Sequence, residues 1–470
     1  MKKNCVIAFS SLMLSCALYA QNKRMNVVFI MADDLGLNDT GYTGSDFYET
    51  PNIDKLSEEG MVFTNAYSSA ANSAPSRACF MSGMYTPRHG IFTVSPPDRG
   101  DRTKRKLIPI PNVEDLRKDI PTMGELFKRN GYRCGHVGKW HLGDDEDGTG
   151  PLSRGFDVNV AGGRAGTPYS YYYPYCNNKG MCHIGLEKGK QGEYLTDRLT
   201  DEAVAFIKES AHGEKPFFLY LAHHAVHTPI TAPKSIVDKY EKKAKGKYHT
   251  NSVYAAMVET LDNSVGKICG IIDSLGISDN TIIIFNSDNG GSEPITDNYT
   301  VRGGKGMPYE GGNRVPLIVK WPDVTKAGGV SDCPVNNIDF FSTFQMYLEG
   351  KIGDELDGAD IYPLLNNEKS SIERDLFLHF PAYLESYTDN GKGFRAKPYT
   401  SVRSGKWKLI YYYENENTEL FDLDKDPLEE YDLSCVNEEM VSILKKKIFS
   451  WIERVNAPVP TKLNPYYEGD

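Results

Sequence analysis

Four continuous apolar runs in the first part of the chain predict buried β-strands. They occupy residues 26–31, 217–222, 281–285 and 317–321. Helical patterns at residues 200–208 and 253–275 accompany them. A run without polar alternation is typical of a parallel strand covered by helices on both faces. The pattern therefore indicates an α/β fold with a mostly parallel sheet.

Beyond residue 370 the strand candidates become shorter and more closely spaced, which predicts a second, smaller domain. They occupy residues 376–380, 399–403, 407–413 and 419–423, and a helical stretch follows at residues 438–455. Short connections favour antiparallel pairing. We therefore expect an N-terminal α/β domain at residues 21–370 and a C-terminal α+β subdomain with an antiparallel sheet at residues 371–470.

Residues 1–20 have the pattern of a secretory signal peptide. Two lysines precede an apolar stretch at residues 6–18, and a polar segment follows Ala20. The stretch is too short to cross a bilayer as a helix, and no later segment is apolar for long enough to do so. We predict cleavage after Ala20, with lipoprotein processing at Cys16 as the alternative, and a periplasmic or secreted protein.

The spacing of the cysteines indicates one candidate disulfide. Nine cysteines, two of them in the predicted signal, leave an odd number in the mature chain, so at least one thiol stays unpaired. Cys176 and Cys182 frame a short loop and are the best candidates for a disulfide in an oxidising compartment. Two buried reduced cysteines are the alternative, and no spacing is that of a zinc site.

Carboxylates follow two of the predicted strands close to the point where each strand ends. Asp33 and Asp34 follow the first run, and Asp288 and Asn289 follow the run at residues 281–285. Parallel sheets bind ligands beyond the carboxyl ends of their strands. A lone Asp-Asp pair is more typical of a helix cap or an Asx-turn. Together, however, the four side chains form an all-oxygen ligand set suited to Ca²⁺, and second to Mg²⁺.

The formal net charge of −10 excludes a general nucleic-acid-binding protein, because the surface as a whole does not attract polyanions. An anionic substrate must therefore meet a local cluster of basic side chains. Candidates are Lys139 and His141, which stand two residues apart, His227, which follows an apolar run, and Lys305, which lies among glycines. Taken singly, each is more typical of a solvated loop charge or a satisfied histidine.

The most specific stretch of the chain is residues 73–90, which read SAPSRACFMSGMYTPRHG. It resembles the maturation signature of the type I, formylglycine-dependent sulfatases, Cys/Ser-x-Pro-Ser/Ala-x-x-x-x-x-x-Gly. The resemblance continues at residues 138–143 and 287–316 and covers essentially the whole mature chain. It implies an alkaline-phosphatase-like fold and a sulfuric ester hydrolase similar to secreted bacterial arylsulfatase-like carbohydrate sulfatases.

In that family the first residue of the signature is oxidised to formylglycine. The resemblance thus implies that Ser73 is the precursor of the nucleophile. It also implies a Ca²⁺ ion at Asp33, Asp34, Asp288 and Asn289, with the formylglycine as a further ligand. A plain serine is a weak nucleophile and lacks the second hydroxyl of the hydrated aldehyde, through which sulfate is released. The modification is therefore needed for turnover.

The same resemblance assigns roles to the basic side chains. Lys139 and Lys305 would bind the sulfate oxygens together with the Ca²⁺, and Arg77 would stabilise the ionised nucleophile. His227 would protonate the leaving alcohol, a role that Lys305 could share. His141 would deprotonate the remaining hydroxyl so that sulfate leaves.

Serine at position 73 departs from the commoner cysteine of the signature. Aerobic maturation enzymes take cysteine, whereas anaerobic radical enzymes can take serine. The resemblance therefore implies an anaerobic formylglycine-generating maturase as a partner and an anaerobic bacterial host, although an engineered Cys→Ser replacement would look the same. If Ser73 is never oxidised, the chain would be a non-catalytic glycan-binding protein.

The expected substrate is a sulfated carbohydrate of host-glycan, mucin or glycosaminoglycan type. A phosphonate or phosphodiester hydrolase is the alternative within the superfamily, but those enzymes mostly need a second metal, whose place Lys139 and Lys305 take here. Aromatic residues 169–175 predict either a sugar-stacking wall or a packed loop. Further candidates for sugar contacts lie in irregular segments, namely His183, Arg164, Arg395, Tyr383 and Glu385.

Overall fold

In residues 24–469, the part of the chain that the computed structural model describes, sixteen strands and eleven α-helices form. The strands are β1 (Asn26–Ala32), β2 (Met61–Phe63), β3 (Ala66–Tyr67), β4 (Arg133–Gly138), β5 (Val158–Val160), β6 (Phe217–Ala222), β7 (Thr281–Ser287), β8 (Leu317–Lys320), β9 (Gly329–Ser331), β10 (Val335–Asn336), β11 (Asp375–Phe380), β12 (Leu384–Glu385), β13 (Phe394–Ala396), β14 (Tyr399–Ser404), β15 (Trp407–Tyr412) and β16 (Thr418–Asp422). The helices are α1 (Pro51–Glu59), α2 (Ser73–Ser82), α3 (Thr86–His89), α4 (Met123–Arg129), α5 (Leu195–Ala211), α6 (Lys234–Lys242), α7 (Ser252–Ser274), α8 (Glu310–Asn313), α9 (Asp339–Glu349), α10 (Tyr362–Leu365) and α11 (Glu438–Arg454). The predicted signal peptide, with the processing sites at Ala20 and Cys16, lies outside the described residues.

Eight strands form the central sheet, in the order β5-β4-β6-β1-β7-β8-β2-β9. Neighbours run parallel from β5 through to β7, whereas β8 is antiparallel to both β7 and β2. The sheet is therefore mostly parallel, as predicted. The four apolar runs of the sequence correspond to β1, β6, β7 and β8, each within two residues at either end.

Strand β1 lies in the middle of this sheet, and its apolar sequence follows from burial on both faces. Successive side chains of a strand point to opposite faces, so seven consecutive buried residues require helices on both sides. Val28 and Ile30 belong to the core that includes α5 and α7. Val27 and Phe29 belong to the core that includes α2 and α9. The carboxyl end of β1 therefore opens between two helical layers.

One strand that matters for the site was not predicted from the sequence. β4 contains Arg133 and His136 among its six residues, so it lacks the apolar run that marks its neighbours. Parallel pairing with β6 on one side and β5 on the other holds it in the sheet. Its carboxyl end leads directly into Lys139 and His141.

The C-terminal region forms a four-stranded sheet in the order β11-β14-β15-β16, which confirms the predicted antiparallel pairing. Leu444, Ile448 and Trp451 of α11 pack against Val402 and Leu409 of this sheet. A separate hairpin joins β12 to β13. The exact boundary between residues 370 and 371 stays a prediction.

Cys176 and Cys182 form a disulfide, which confirms the expected pairing. The other cysteines of the described chain are reduced, namely Cys79, Cys134, Cys269, Cys333 and Cys435. None of the helices in residues 24–469 combines the length and the apolar character that crossing a bilayer requires.

Candidate active site

The carboxyl ends of β1 and β7 bring the four predicted metal ligands together. The two strands pair in register up to Ala32 and Ser287, so the residues that follow lie side by side. The backbone N–H of Asp34 donates to Asp288 Oδ1 at 3.1 Å, and Asn289 Nδ2 donates to Asp34 Oδ1 at 2.9 Å. All four side chains are buried, namely Asp33, Asp34, Asp288 and Asn289. The sheet thus builds an oxygen-rich cluster at this edge.

Ser73 is the first residue of α2, and its hydroxyl lies in this cluster. Its Oγ is 3.1 Å from Asp33 Oδ1 and 3.2 Å from Asn289 Oδ1. The side chain stands at the positive end of the helix dipole, where a negatively charged oxygen is stabilised. The sequence identified the residue, but we did not predict the helix that begins there.

Arg77 lies one turn further along α2 and is completely buried. Its Nε donates to Asp288 Oδ2 at 2.9 Å, and its Nη1 donates to the backbone carbonyl of Lys139 at 3.1 Å. Its Nη2 is 3.7 Å from Asp33 Oδ1. The guanidinium therefore connects α2 both to the carboxylate cluster and to the end of β4.

Two lysines from different loops pair with adjacent carboxylates. Lys139, directly after β4, donates to Asp33 Oδ1 at 2.9 Å and to Asp33 Oδ2 at 2.7 Å. Lys305, in the glycine-rich segment after β7, donates to Asp34 Oδ2 at 2.8 Å. The carbonyl of Gly291 accepts from the backbone N–H of Lys305 at 2.9 Å and fixes this loop beside the cluster.

The two predicted histidines differ in their surroundings. His227 Nδ1 donates to the carbonyl of Thr228 at 2.7 Å, which leaves Nε2 as the free nitrogen, 3.6 Å from Asp34 Oδ2. The Nδ1 of His141 is buried and finds no hydrogen-bond partner in the described part of the chain, and the backbone N–H of His141 donates to the carbonyl of Gly163 at 2.8 Å. Both rings therefore keep one nitrogen free for a ligand.

Two of the site residues have a strained backbone conformation. Asp34 has φ of 64° and His141 has φ of 65°, in the left-handed region that side-chain-bearing residues rarely adopt. Such conformations cost free energy and persist where the surrounding structure enforces them, most often at functional sites. At Asp34 the strained backbone turns the side chain toward Asn289 and Lys305.

Burial and charge act against each other on the pKa values of the site. Burial acts to raise the pKa of Asp34, but Lys305, His227 and Lys139 hold that pKa well below its ordinary range. Burial acts to lower the pKa of Lys305, yet Asp34 raises it, so the ammonium stays charged. Burial, together with Lys305, lowers the pKa of His227 to about 3, so its ring is neutral.

The charges of this cluster balance, and its donor atoms fit a hard metal ion. The three carboxylates and the three cations that face them are Asp33, Asp34, Asp288, Arg77, Lys139 and Lys305. Ligand atoms of Asp33, Asp34 and His227 lie within 4.8 Å of one another, a spacing that one cation could bridge. An added dication would leave a net positive centre that attracts an anion.

Comparison with known families decides the identity. Residues 25–349 match the family model described as Sulfatase, and residues 304–456 match the model described as N-sulphoglucosamine sulphohydrolase, C-terminal. The chain belongs to the sulfatase family. As a sulfatase it hydrolyses sulfate esters, and its buried acidic cluster is compatible with the metal ion that this family binds.

Two relatives and one solved structure illustrate the similarity. The sulfatase of Formosa agariphila is 31% identical over 93% of this chain and 90% of its own length. The N-acetylgalactosamine-6-sulfatase of Mus musculus is 31% identical over 90% of this chain and 84% of its own length. The crystal structure of Ps i-CgsB in complex with k-i-k-neocarrahexaose is 29% identical, with a TM-score of 0.76, and covers 94% of this chain and 95% of that one.

The predicted sugar-contact residues of the sulfatase lie in two separate places. His183 and Arg164 line a cavity of about 540 Å³ together with Tyr169. Arg164 is exposed and its guanidinium is shared among three carboxylates, those of Asp115, Asp144 and Asp147. Arg395, from β13, lies instead beside the Lys305 loop, since a Cβ on Gly306 would be 3.0 Å from Arg395 Nε.

Tyr383 and Glu385, also considered for sugar contacts, are engaged within the protein. Tyr383 is completely buried, and its hydroxyl donates to Glu414 at 2.6 Å. Both carboxylate oxygens of Glu385 accept from the guanidinium of Arg99. Neither side chain is free for a ligand in this arrangement.

The aromatic segment at residues 169–175 is largely a packed loop. Tyr171 and Tyr175 are buried, and only Tyr169 of the segment lines the cavity. The Tyr171 hydroxyl lies 2.7 Å from the carbonyls of both His224 and His227. This loop therefore supports the segment that carries His227.

His224 is a residue of the site that sequence reasoning missed. Both of its ring nitrogens are buried and have no hydrogen-bond partner among residues 24–469, and its ring centroid lies 4.9 Å from that of His183. The neighbouring His223 instead forms a hydrogen bond between its Nε2 and Ser264 Oγ, at 2.8 Å. Adjacent side chains in extended backbone point to opposite sides, so only the tertiary structure distinguishes the two. The unpaired nitrogens mark His224 as a third histidine open to a ligand, beside His227 and His141.

Proposed function

We propose that this sulfatase hydrolyses sulfate esters of a sulfated carbohydrate of host-glycan, mucin or glycosaminoglycan type, with a formylglycine at position 73 and one Ca²⁺. The observation that carries the proposal is the position of Ser73 Oγ, 3.1 Å from Asp33, in the same cluster as Lys139 and Lys305. The relatives support a carbohydrate, since one is named an N-acetylgalactosamine-6-sulfatase and another binds k-i-k-neocarrahexaose.

Position 73 is the proposed nucleophile after oxidation of Ser73 by an anaerobic radical maturase. The hydrated aldehyde would supply an attacking oxygen and a second hydroxyl, which plain serine lacks. The N-terminus of α2 would stabilise negative charge on that oxygen, and Arg77 would do the same from one turn along the helix. The N-terminus of α2 and Arg77 are both already in place before Ser73 is oxidised.

Asp33, Asp34, Asp288 and Asn289, together with position 73, are the proposed holders of the metal. Their oxygen donors favour Ca²⁺, with Mg²⁺ second. When bound, the ion would supply positive charge toward the sulfate oxygens. Because the three carboxylates are already balanced by three cations, this charge would remain available to a monoanionic sulfate ester.

The remaining side chains would bind the ester and move protons. Lys139 and Lys305 would each turn an ammonium N–H toward the sulfate oxygens while they remain paired with Asp33 and Asp34. His227 would protonate the leaving alcohol from Nε2 after this nitrogen has taken up a proton in the presence of the anionic ester, while Nδ1 keeps its bond to Thr228. Lys305, whose ammonium is charged, would share the role of proton donor. His141 would take a proton from the nucleophile during sulfate release.

A cavity of the protein beside this centre would hold the sugar part of the substrate. The cavity of about 540 Å³ is lined by Tyr169 and His183, and also by Arg164 and the acidic residues 144–146, so that it offers an aromatic ring and several hydrogen-bonding groups to the hydroxyls of a sugar. It adjoins the centre through Gly163, which accepts from the backbone N–H of His141. Export to the periplasm or the medium, through residues 1–20, would bring the enzyme to such a glycan.

The proposal is tested on protein co-expressed with an anaerobic radical maturase. Mass spectrometry should find the peptide of residue 73 lighter by two hydrogen atoms, and ion chromatography should detect sulfate released from sulfated mono- and disaccharides. Ser73→Ala protein, which cannot be matured, serves as the control and should release none. Unmodified Ser73 in the fully mature protein would support the non-catalytic alternative. A higher kcat/KM for a phosphate monoester than for an aryl sulfate would support the phosphonate or phosphodiester hydrolase.

A further inference from the structure

Arg395 of the β12–β13 hairpin reaches the reaction centre from the C-terminal part of the chain. A Cβ placed on Gly306 would lie 3.0 Å from Arg395 Nε and 3.3 Å from Asn72 Oδ1. Gly306 directly follows Lys305, and Asn72 directly precedes Ser73. The guanidinium therefore approaches the start of α2, where the proposed nucleophile lies, and the loop that carries one of the proposed sulfate-binding lysines.

Stacking, rather than ion pairing, holds this guanidinium in place. Its central carbon lies 3.7 Å from the centroid of the Tyr387 ring. The Tyr387 hydroxyl is 3.3 Å from Ser292 Oγ, in the loop that follows Asn289. Stacking fixes the plane of the guanidinium but leaves its N–H groups free to bind a carboxylate or a sulfate in a bidentate manner.

Arg395 also lacks a partner for its charge among the side chains that the structure describes. Its Nε is buried without a hydrogen-bond partner. The carboxylate of Glu385, in the same hairpin, accepts hydrogen bonds from Arg99. The carboxylate of Glu293 attracts Arg395, but the two groups lie more than 4.0 Å apart and form no ion pair. Placing a partly buried cation beside other cations without a partner costs free energy, which an anion from outside would recover.

We propose that Arg395 binds a second anionic group of the substrate, a carboxylate or a further sulfate on the sugar next to the ester that is cleaved. The proposal rests on the carbohydrate sulfatase function and narrows its substrate class to carbohydrates with at least two negative charges. Lys139 and Lys305 are paired with Asp33 and Asp34 at the cleaved sulfate, whereas Arg395 stands one loop away. A neutral hydroxyl would compensate its charge less well than an anion.

The test uses full-length Ser73→Ala protein in calcium buffer, which binds without turnover, and isothermal titration calorimetry with three disaccharides. The first is the chondroitin 6-sulfate disaccharide, which carries one sulfate and one carboxylate. The second is its carboxyl-reduced form, and the third is the carboxyl-reduced 4,6-disulfated disaccharide. Arg395→Gln and Arg395→Lys are compared with Arg102→Gln, a matched control because Arg102 stacks on Tyr466 at 3.9 Å in the same way.

We expect Arg395→Gln to weaken binding of a doubly charged disaccharide by about tenfold or more, and binding of the singly charged one by less than about twofold. Arg395→Lys should retain part of the affinity for a doubly charged disaccharide. Arg102→Gln should bind all three disaccharides as tightly as the parent Ser73→Ala protein. If Arg395→Gln loses affinity only for the first disaccharide, Arg395 binds a carboxylate. If it loses affinity only for the third, Arg395 binds a second sulfate.

Three results would overturn the proposal. They are equal losses for all three disaccharides, no loss for any, or a parent protein that binds neither doubly charged one. Failure of the proposed function is seen separately, since matured protein with Ser73 intact would then release no sulfate from any sugar, whatever Arg395→Gln does to binding.

Discussion

The ammonium group of Lys139 donates to both carboxylate oxygens of Asp33, at 2.9 and 2.7 Å, with both side chains completely enclosed by protein. The two residues are 106 positions apart in the chain and meet because β4 and β1 flank β6. A buried pair of this kind gains little over an apolar core, but removal of one partner leaves an uncompensated charge. The folded protein is therefore stable only when Lys139 and Asp33 are brought together in this centre.

Lys139→Ala should lower the free energy of unfolding by about 3–5 kcal/mol in metal-free protein, because the charge of Asp33 stays buried without its partner. Calcium should restore part of the loss, since a dication can compensate the carboxylate. Urea denaturation with chelator and with calcium measures both effects. The control is Lys128→Ala, which removes an exposed pair with Asp157 and should cost less than about 1 kcal/mol. Equal losses in the two variants would contradict the structural argument.

Removal of metal should abolish sulfate release and lower the melting temperature. Sulfate release should stop because the positive charge directed at the sulfate oxygens is lost, and the melting temperature should fall because only the folded chain brings the ligands of the ion together. Calcium should restore activity and melting temperature more fully than magnesium. Asp288→Asn should weaken this calcium response, measured as the shift in melting temperature per tenfold change in calcium concentration. An unchanged melting temperature after chelation would count against a metal at this site.

His227→Ala should reduce turnover of an alkyl sulfate by about 10²- to 10⁴-fold, the range expected when a general acid is lost. An aryl sulfate should lose much less, because its leaving group departs without protonation. The comparison is made as kcat on matured enzyme. The control is His212→Ala, which changes a histidine at the end of α5 and should leave both substrates unaffected. Equal losses for the two substrates would contradict the role as proton donor.

A buried carboxylate in contact with Lys408 predicts how stability depends on pH. Lys408 Nζ lies 3.1 Å from Glu310 and 2.8 Å from Glu429, so two buried carboxylates share one ammonium group. Burial raises the pKa of Glu429 to about 7, with the charge of Glu310 acting in the same direction against Lys408. A pKa that is higher in the folded state means that folding favours the protonated form.

The stabilising contribution of Glu429 is therefore complete at pH values below its unfolded pKa of 4.5 and is lost as the pH rises through about 7. Glu429→Gln should flatten the dependence of the free energy of unfolding on pH between these values, by about 3 kcal/mol in total. The neighbouring Glu430 is exposed, so Glu430→Gln should leave the profile unchanged. Parallel profiles for the two variants would show that Glu429 does not titrate as described.

Residues 73–90 identified the family from the sequence alone, and the apolar runs identified four of the central strands to within two residues. Both are local signals, carried by neighbouring residues. The strand β4 was missed because Arg133 and His136 interrupt its apolar pattern. The helix that begins at Ser73 was missed because the segment was interpreted only as a motif.

The positions of the site residues relative to one another needed the tertiary structure. Ser73 and Asn289 are 216 residues apart, and their contact depends on the order of strands in the sheet, which no local pattern specifies. The same holds for the choice between His223 and His224, and for Arg395, which reaches the centre from the C-terminal hairpin. The sequence by itself determined the family, the apolar strands of the central sheet and the chemical types of the site. Only the tertiary structure decided which distant side chains meet, because that depends on long-range pairing and packing rather than on neighbouring residues.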